Sequence, residues 1–144
     1  MTLTIDTHAF IAAAPKGLRT ECGELTPAEF FDRYCDVTGS VTLSDWACAG
    51  RAPNAVFTAT LEFGDRPRTV VAAGSPVAAL TSALYEEGYP VEILQFHQRR
   101  TEAGTATFVQ CESHGRRGWG AAVADDSAES SVRAMIAGIN QLDR

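Results

Sequence analysis

Ser75 and Asp126 each stand directly before a segment with helical spacing, Ser75 ahead of Pro76 and Asp126 ahead of Ser127. The first turn of a helix presents unpaired N–H groups and the positive end of the helix dipole, an arrangement that attracts a carboxylate. Ser75 and the backbone after Pro76 suit a ligand's carboxylate, and Asp125 and Asp126 suit a cationic group such as an ammonium. The same residues serve equally as plain helix caps. Phe96 and Val77 suit the apolar wall of such a pocket, or the core of the fold. The sequence leaves each of these pairs of readings open.

The other reactive side chains form no working set. His97 heads a polar run, His97-Gln98-Arg99-Arg100. An imidazole exchanges protons near neutral pH, yet no carboxylate or cysteine stands at a spacing that signals a dyad. An enzyme reusing this scaffold would draw its acids and bases from His97, Tyr85, Glu92 and Asp126. Glu86-Glu87 and Asp125-Asp126 are paired carboxylates without a nearby histidine, so no metal site is expected. Cys22, Cys35, Cys48 and Cys111 are widely spaced and form no Cys-x-x-Cys pair, which reads as reduced thiols. The loop at Gly74 has neither a dinucleotide fingerprint nor a P-loop lysine. The expectation is no catalytic residue, no metal and no cofactor.

The chain has 144 residues, with 12 Lys and Arg against 18 Asp and Glu and a formal net charge of −6. Nucleic acid and anionic membranes demand a basic face, so neither is expected as a partner. Arg116-Arg117 beside Trp119 reads as a solvated hairpin tip rather than an RNA site. No run approaches the roughly 20 apolar residues of a membrane span. Residues 1–14 hold Asp6 and His8 and lack a basic start, unlike a signal peptide. The expected location is the cytoplasm.

These residues must be positioned by elements that the patterning announces. Residues 1–24 are weakly periodic and read as an extended arm. Thr26-Pro27-Ala28-Glu29 is a helix start with a cap, a first-turn proline and a capping-box glutamate. Phe30, Phe31, Tyr34 and Val37 give that helix a packing face, and Gly39 ends it. Strands are expected over residues 40–47, 56–63, 68–73, 91–99, 105–112 and 118–124, with a turn at 50–54. Helices are expected over 76–87 and 127–142. The order is βββα followed by βββα, an antiparallel-rich α+β fold with helices covering one sheet face. The wording repeats as well. Thr58-Ala59-Thr60-Leu61 is echoed by Thr105-Ala106-Thr107-Phe108, each followed by a charged turn, a strand and a helix. Stacked repeats share a core and commonly bind at the seam between them.

Over residues 26–142 this order and wording resemble the C-terminal regulatory domain of the α-isopropylmalate synthase family. The stretches that carry the resemblance are Ala73-Gly74-Ser75-Pro76-Val77-Ala78-Ala79-Leu80, Val91-Glu92-Ile93-Leu94-Gln95-Phe96 and Trp119-Gly120-Ala121-Ala122-Val123. Ser131-Val132-Arg133-Ala134 and Ile139-Asn140-Gln141-Leu142 complete it. Where the family has Gly-Asn-Gly-Pro, Asp-Tyr and Trp-Gly-Val-Gly, this chain has Ala73-Gly74-Ser75-Pro76, Gln95-Phe96 and Trp119-Gly120-Ala121-Ala122. These changes alter the pocket and leave the fold.

The resemblance implies two βββα units related by a pseudo-twofold, at about 40–88 and 91–142. Residues 40–144 would be the regulatory domain, and 1–39 an N-terminal arm and linker helix. It implies a homodimer that binds leucine or a related effector between the units and modulates a separate isopropylmalate-synthase-like catalytic subunit. A (β/α)₈ barrel does not fit in this length, so the chain looks like a freestanding regulatory domain or a fragment of one. The expected ligand-binding set is Gly74, Ser75, Pro76, Val77, Ala78, Phe96, Ala122, Ala124 and Asp126.

Overall fold

Sequence and structure agree residue by residue at Thr26. Its side-chain oxygen accepts the Glu29 N–H at 3.2 Å, and its own N–H donates to Glu29 Oε1 at 2.8 Å, which closes the capping box. The computed structural model describes residues 7–50 and 55–142. The expected turn at 50–54 lies, beyond Gly50, outside the described residues.

Three helices come first: α1 (Thr7–Ala12), α2 (Lys16–Cys22) and α3 (Pro27–Tyr34). Then follow β1 (Val41–Ala49), β2 (Val56–Phe63), β3 (Arg66–Ala73) and α4 (Pro76–Glu86). The second unit is β4 (Glu92–Thr101), β5 (Gly104–Ser113), β6 (Arg116–Ala124) and α5 (Ser127–Leu142). Each unit is an antiparallel three-stranded sheet, in the orders β1-β2-β3 and β4-β5-β6, followed by a helix.

The pairing fixes the true repeat. Both first strands are irregular at one place, between Leu43 and Asp45 and between Ile93 and Gln95. The hairpins Phe63↔Arg66 and Ser113↔Arg116 also correspond. All are separated by 50 positions, so Trp46 matches Phe96 and Cys48 matches Gln98. The echo of Thr58–Leu61 in Thr105–Phe108 is a slip of three positions from this register. An odd slip in a strand moves every side chain to the other face. Ala59 accordingly packs against the helices α4 and α5, whereas Ala106 packs on the opposite face of its own sheet.

The two sheets are covered unequally. One core joins Phe57, Leu61 and Val70 of the first sheet to Leu80 and Leu84 of α4, to Val132, Met135, Ile136 and Ile139 of α5, and to Val109 and Cys111 of β5. A second core lies on the far side of the β4–β6 sheet, where Phe108, Trp119 and Ala121 meet Phe10, Leu18, Phe30 and Tyr34. Phe10 stacks on Phe108 with centroids 5.3 Å apart. The N-terminal stretch is thus helical over 7–12 and 16–22, not extended. Phe10, Ala14, Leu18 and Cys22, spaced by four, are all buried, and that spacing supplies the apolar stripe. Pro15 and Gly17 break the pattern in sequence and hide it.

α5 lies almost in contact with the backbone of β6. A Cβ added at Gly120 would stand 2.1 Å from the Ala134 carbonyl oxygen and 2.2 Å from the Gly138 nitrogen. Only glycine permits this approach.

Candidate functional site

The helix caps foreseen in the sequence are formed. Ser75 Oγ accepts the Ala78 N–H at 3.2 Å at the start of α4. Asp126 Oδ1 accepts the Ala128 N–H at 3.2 Å at the start of α5. The two helix starts face each other across the seam between the units, and a cavity of about 840 Å³ lies between them. That size falls within the range of small-molecule sites, roughly 300–1,000 Å³.

Each unit contributes one wall. From the first come Cys48 and Gly50 at the end of β1, Ala55, and the Gly74-Ser75-Pro76-Val77 corner. From the second come Phe96 and Gln98 of β4 with Asp126, Ser127, Ala128 and Ser131 of α5. The β4 irregularity between Ile93 and Gln95 puts Phe96 and Gln98 on the α5 side of the sheet, opposite Val109 and Thr107. Trp46, the counterpart of Phe96, is spent on packing and stacks on Phe57 at 5.3 Å. Phe96 remains 41% exposed, at the cavity.

Two side chains give the cavity its polarity. Gln98 Nε2 donates towards Thr107 Oγ1 at 2.9 Å, Ser131 Oγ at 3.0 Å and the Ser127 carbonyl at 3.1 Å. These acceptors fix the amide and turn its oxygen away from them. Asp126 Oδ2 is buried and meets no nitrogen or oxygen donor among the described residues. The Cys48 thiol faces this carboxylate. Loss of solvent, then the Asp126 charge, raise the thiol above its ordinary pKa. A thiol held protonated is a poor nucleophile, so this pair is no catalytic dyad.

Of the nine residues expected to bind ligand, Gly74, Ser75, Pro76, Val77, Phe96 and Asp126 line the cavity. Ala78 is exposed on the first turn of α4, where its N–H is occupied by Ser75. Ala122 is buried beneath α5, its carbonyl accepting from Ser130 Oγ, and Ala124 pairs with Thr105 at the end of β6. Cys48, Gly50, Ala55, Gln98, Ser127, Ala128 and Ser131 line the cavity and were not foreseen. The repeat, read at its true spacing of 50, would have flagged the matched pair Cys48 and Gln98.

The acids and bases available to an enzyme are scattered. His97 lies on the opposite face of its sheet, paired with Phe108 and lining a cleft with residues 13–15. Tyr85 and Glu92 line a cleft at the β5–β6 hairpin, and only Asp126 reaches the seam. Glu86 and Glu87 pair with Arg68, and Glu87 also with Arg66, while Arg117 pairs with Glu112 at 2.9 Å. All four cysteines are free. Among the described residues no cluster of His, Cys, Asp or Glu could hold a metal ion, and no helix is long and apolar enough to cross a membrane.

A model of the LeuA allosteric (dimerisation) domain matches residues 28–143. The chain belongs to this family. It is similar to the 2-isopropylmalate synthase of Clavibacter michiganensis subsp. michiganensis, 33% identical over 89 residues that cover 58% of this chain and 15% of that protein. The Mycobacterium leprae 2-isopropylmalate synthase is 26% identical over 144 residues, covering 92% of this chain and 24% of the relative. The Mycobacterium ulcerans 2-isopropylmalate synthase is 24% identical, covering 99% and 27%. The chain therefore spans about a quarter or less of the length of these relatives. The two βββα units of the LeuA-type domain are the two halves that build the seam.

Proposed function

We propose that this LeuA-type domain is a non-catalytic sensor. It binds a branched-chain amino acid or a related metabolite in the seam cavity and biases a separate catalytic partner of the 2-isopropylmalate synthase kind. The observation that carries the reading is the convergence of two helix N-termini from different units on one cavity. An amino acid's carboxylate suits the start of α4, and its ammonium suits Asp126 Oδ2 and the Gln98 amide oxygen. Its aliphatic side chain suits the wall of Phe96, Val77 and Pro76. A ligand held by both units favours one mutual arrangement of them, which is the requirement for regulation.

In this reading residues 40–144 are the regulatory module, residues 1–39 the arm and linker helix, and the compartment the cytoplasm. A homodimer is supported by the outer face of the first sheet. Val71 is 64% and Val56 40% exposed there, on the face that no helix among the described residues covers.

The test is thermal denaturation with leucine, isoleucine, valine, their 2-oxo acids and isopropylmalate, alongside alkylation of Cys48. A bound ligand at a hundred times its Kd adds about 2.7 kcal/mol of stability. A saturable rise in Tm with slowed Cys48 alkylation supports the reading. A flat Tm and an unchanged alkylation rate across the panel leave a dimerisation module without an effector of this class.

A further inference from the structure

Asn140 is a buried polar residue that the cavity does not use. It lies near the end of α5, 1% exposed, and its amide spans both units. Oδ1 accepts the N–H of Val41 at 3.2 Å and Nδ2 donates to the Val41 carbonyl at 2.8 Å, joining residues 99 positions apart. Gly39, at φ +147°, makes room for it: an added Cβ would stand 2.6 Å from Asn140 Cγ. A two-point pin thus ties the first residue of β1 to the last helix of the other unit.

From that pin β1 and α5 extend side by side along the seam, antiparallel in chain direction. Val41 to Cys48 is about 23 Å of strand at roughly 3.3 Å per residue. Asn140 back to Asp126 is about 21 Å of helix at about 1.5 Å per residue. The lengths match, and the far ends meet at the cavity that Cys48 and Asp126 both line. The two ends of the seam are held differently. One is sealed by paired, directional hydrogen bonds buried from solvent. The other opens on the cavity of about 840 Å³. Between them α4 and α5 touch through Leu80, Leu84, Met135 and Ile136, a non-directional apolar contact that tolerates small rotation.

We propose that the Asn140–Val41 pin is the pivot of a hinge between the two units, which opens and closes the seam at the Cys48–Asp126 end. The inference stands on the geometry of the seam and not on the identity of a ligand, so its test uses the chain alone. Spin-label pairs are placed in a Cys48→Ser background and read by pulsed electron–electron resonance. Ala49→Cys with Glu129→Cys reports the cavity end, and Ser40→Cys with Gln141→Cys reports the pinned end. The expected distance distribution at the cavity end is at least about twice as wide as that at the pinned end. Adding Asn140→Ala is expected to widen the pinned-end distribution to match. Equal widths in the chain that keeps Asn140 overturn the hinge, as does an unmoved pinned-end width in folded Asn140→Ala. If Asn140→Ala does not fold, the comparison of the two pairs with Asn140 present decides the question.

Discussion

Replacing Gly120 with alanine adds one methyl group at the tightest contact between sheet and helix. The new Cβ would lie 2.1 Å from the Ala134 carbonyl oxygen, 2.2 Å from the Gly138 nitrogen and 2.7 Å from Gly138 Cα. Ordinary contact begins near 3.4 Å, and every neighbour here is backbone, which has no rotamer to turn. α5 must therefore retreat by about 1 Å, which forfeits a quarter to a half of its contact energy. The helix buries Val132, Met135, Ile136 and Ile139 at 0–2% exposure. Burial of such side chains is worth about 1.5–3 kcal/mol each, so the loss over the four is about 1.5–6 kcal/mol. With a urea m-value of roughly 2 kcal/mol/M, the midpoint falls by about 1–3 M. Urea unfolding followed by tryptophan fluorescence suits the measurement, because Trp119 adjoins the site. The retreat also displaces Asp126, so any thermal response to an effector should vanish in variants that still fold. A midpoint within about 0.2 M of the parent would refute the argument that the helix is seated on bare backbone.

Three further outcomes follow from side chains already described. Cys48 is the only exposed thiol of the four, and burial pushes Cys35 and Cys111 up to about 12. Ellman's reagent should therefore titrate one accessible thiol in the native protein, more slowly than free cysteine because Asp126 and desolvation raise its pKa, and none in Cys48→Ser. Phe96→Ala should change stability by less than about 1 kcal/mol, since the ring is 41% exposed, yet weaken the affinity for any effector about tenfold or more, read as a higher half-saturating concentration for the rise in Tm. The third concerns alkali. Burial, the hydrogen bond to Glu21 and that carboxylate's charge all raise the Tyr34 phenol. Between pH 9 and 12 the folded chain then holds protons on Tyr34, Cys35 and Cys111 that the unfolded chain releases, so stability should fall as pH rises through this window. Tyr34→Phe should flatten that fall, as read from urea midpoints across the pH series.

The strands and the two long helices were legible because their signals are local. Alternation along Phe57, Ala59 and Leu61, the Ser75-Pro76 corner and the Thr26 capping box each act within a few residues. What was hidden depends on distance or on register. The Phe10–Cys22 stripe becomes visible only when Phe108 and Trp119 are seen to need cover. The repeat was misread by three positions because identical words, Thr-Ala-Thr, outweighed the spacing of turns. Of the cavity, the helix corners were foreseen from capping chemistry. Cys48 and Gln98 were not, because no local rule says which end of a strand will meet a helix about 30 or 80 residues away.

α5 is a wall common to both units. It seals the first sheet through Val41, roofs the second through Gly120, and lines one side of the cavity with Ser127, Ala128 and Ser131. It also follows both sheets in sequence. Neither sheet can close its core while the chain is being made until this helix has emerged, since the contacts that complete each core reach back as far as 99 residues. Closing such long loops is slow, and the waiting strands expose apolar faces meanwhile. Synthesis of the last helix is thus the event that commits both halves at once, so the two units mature together.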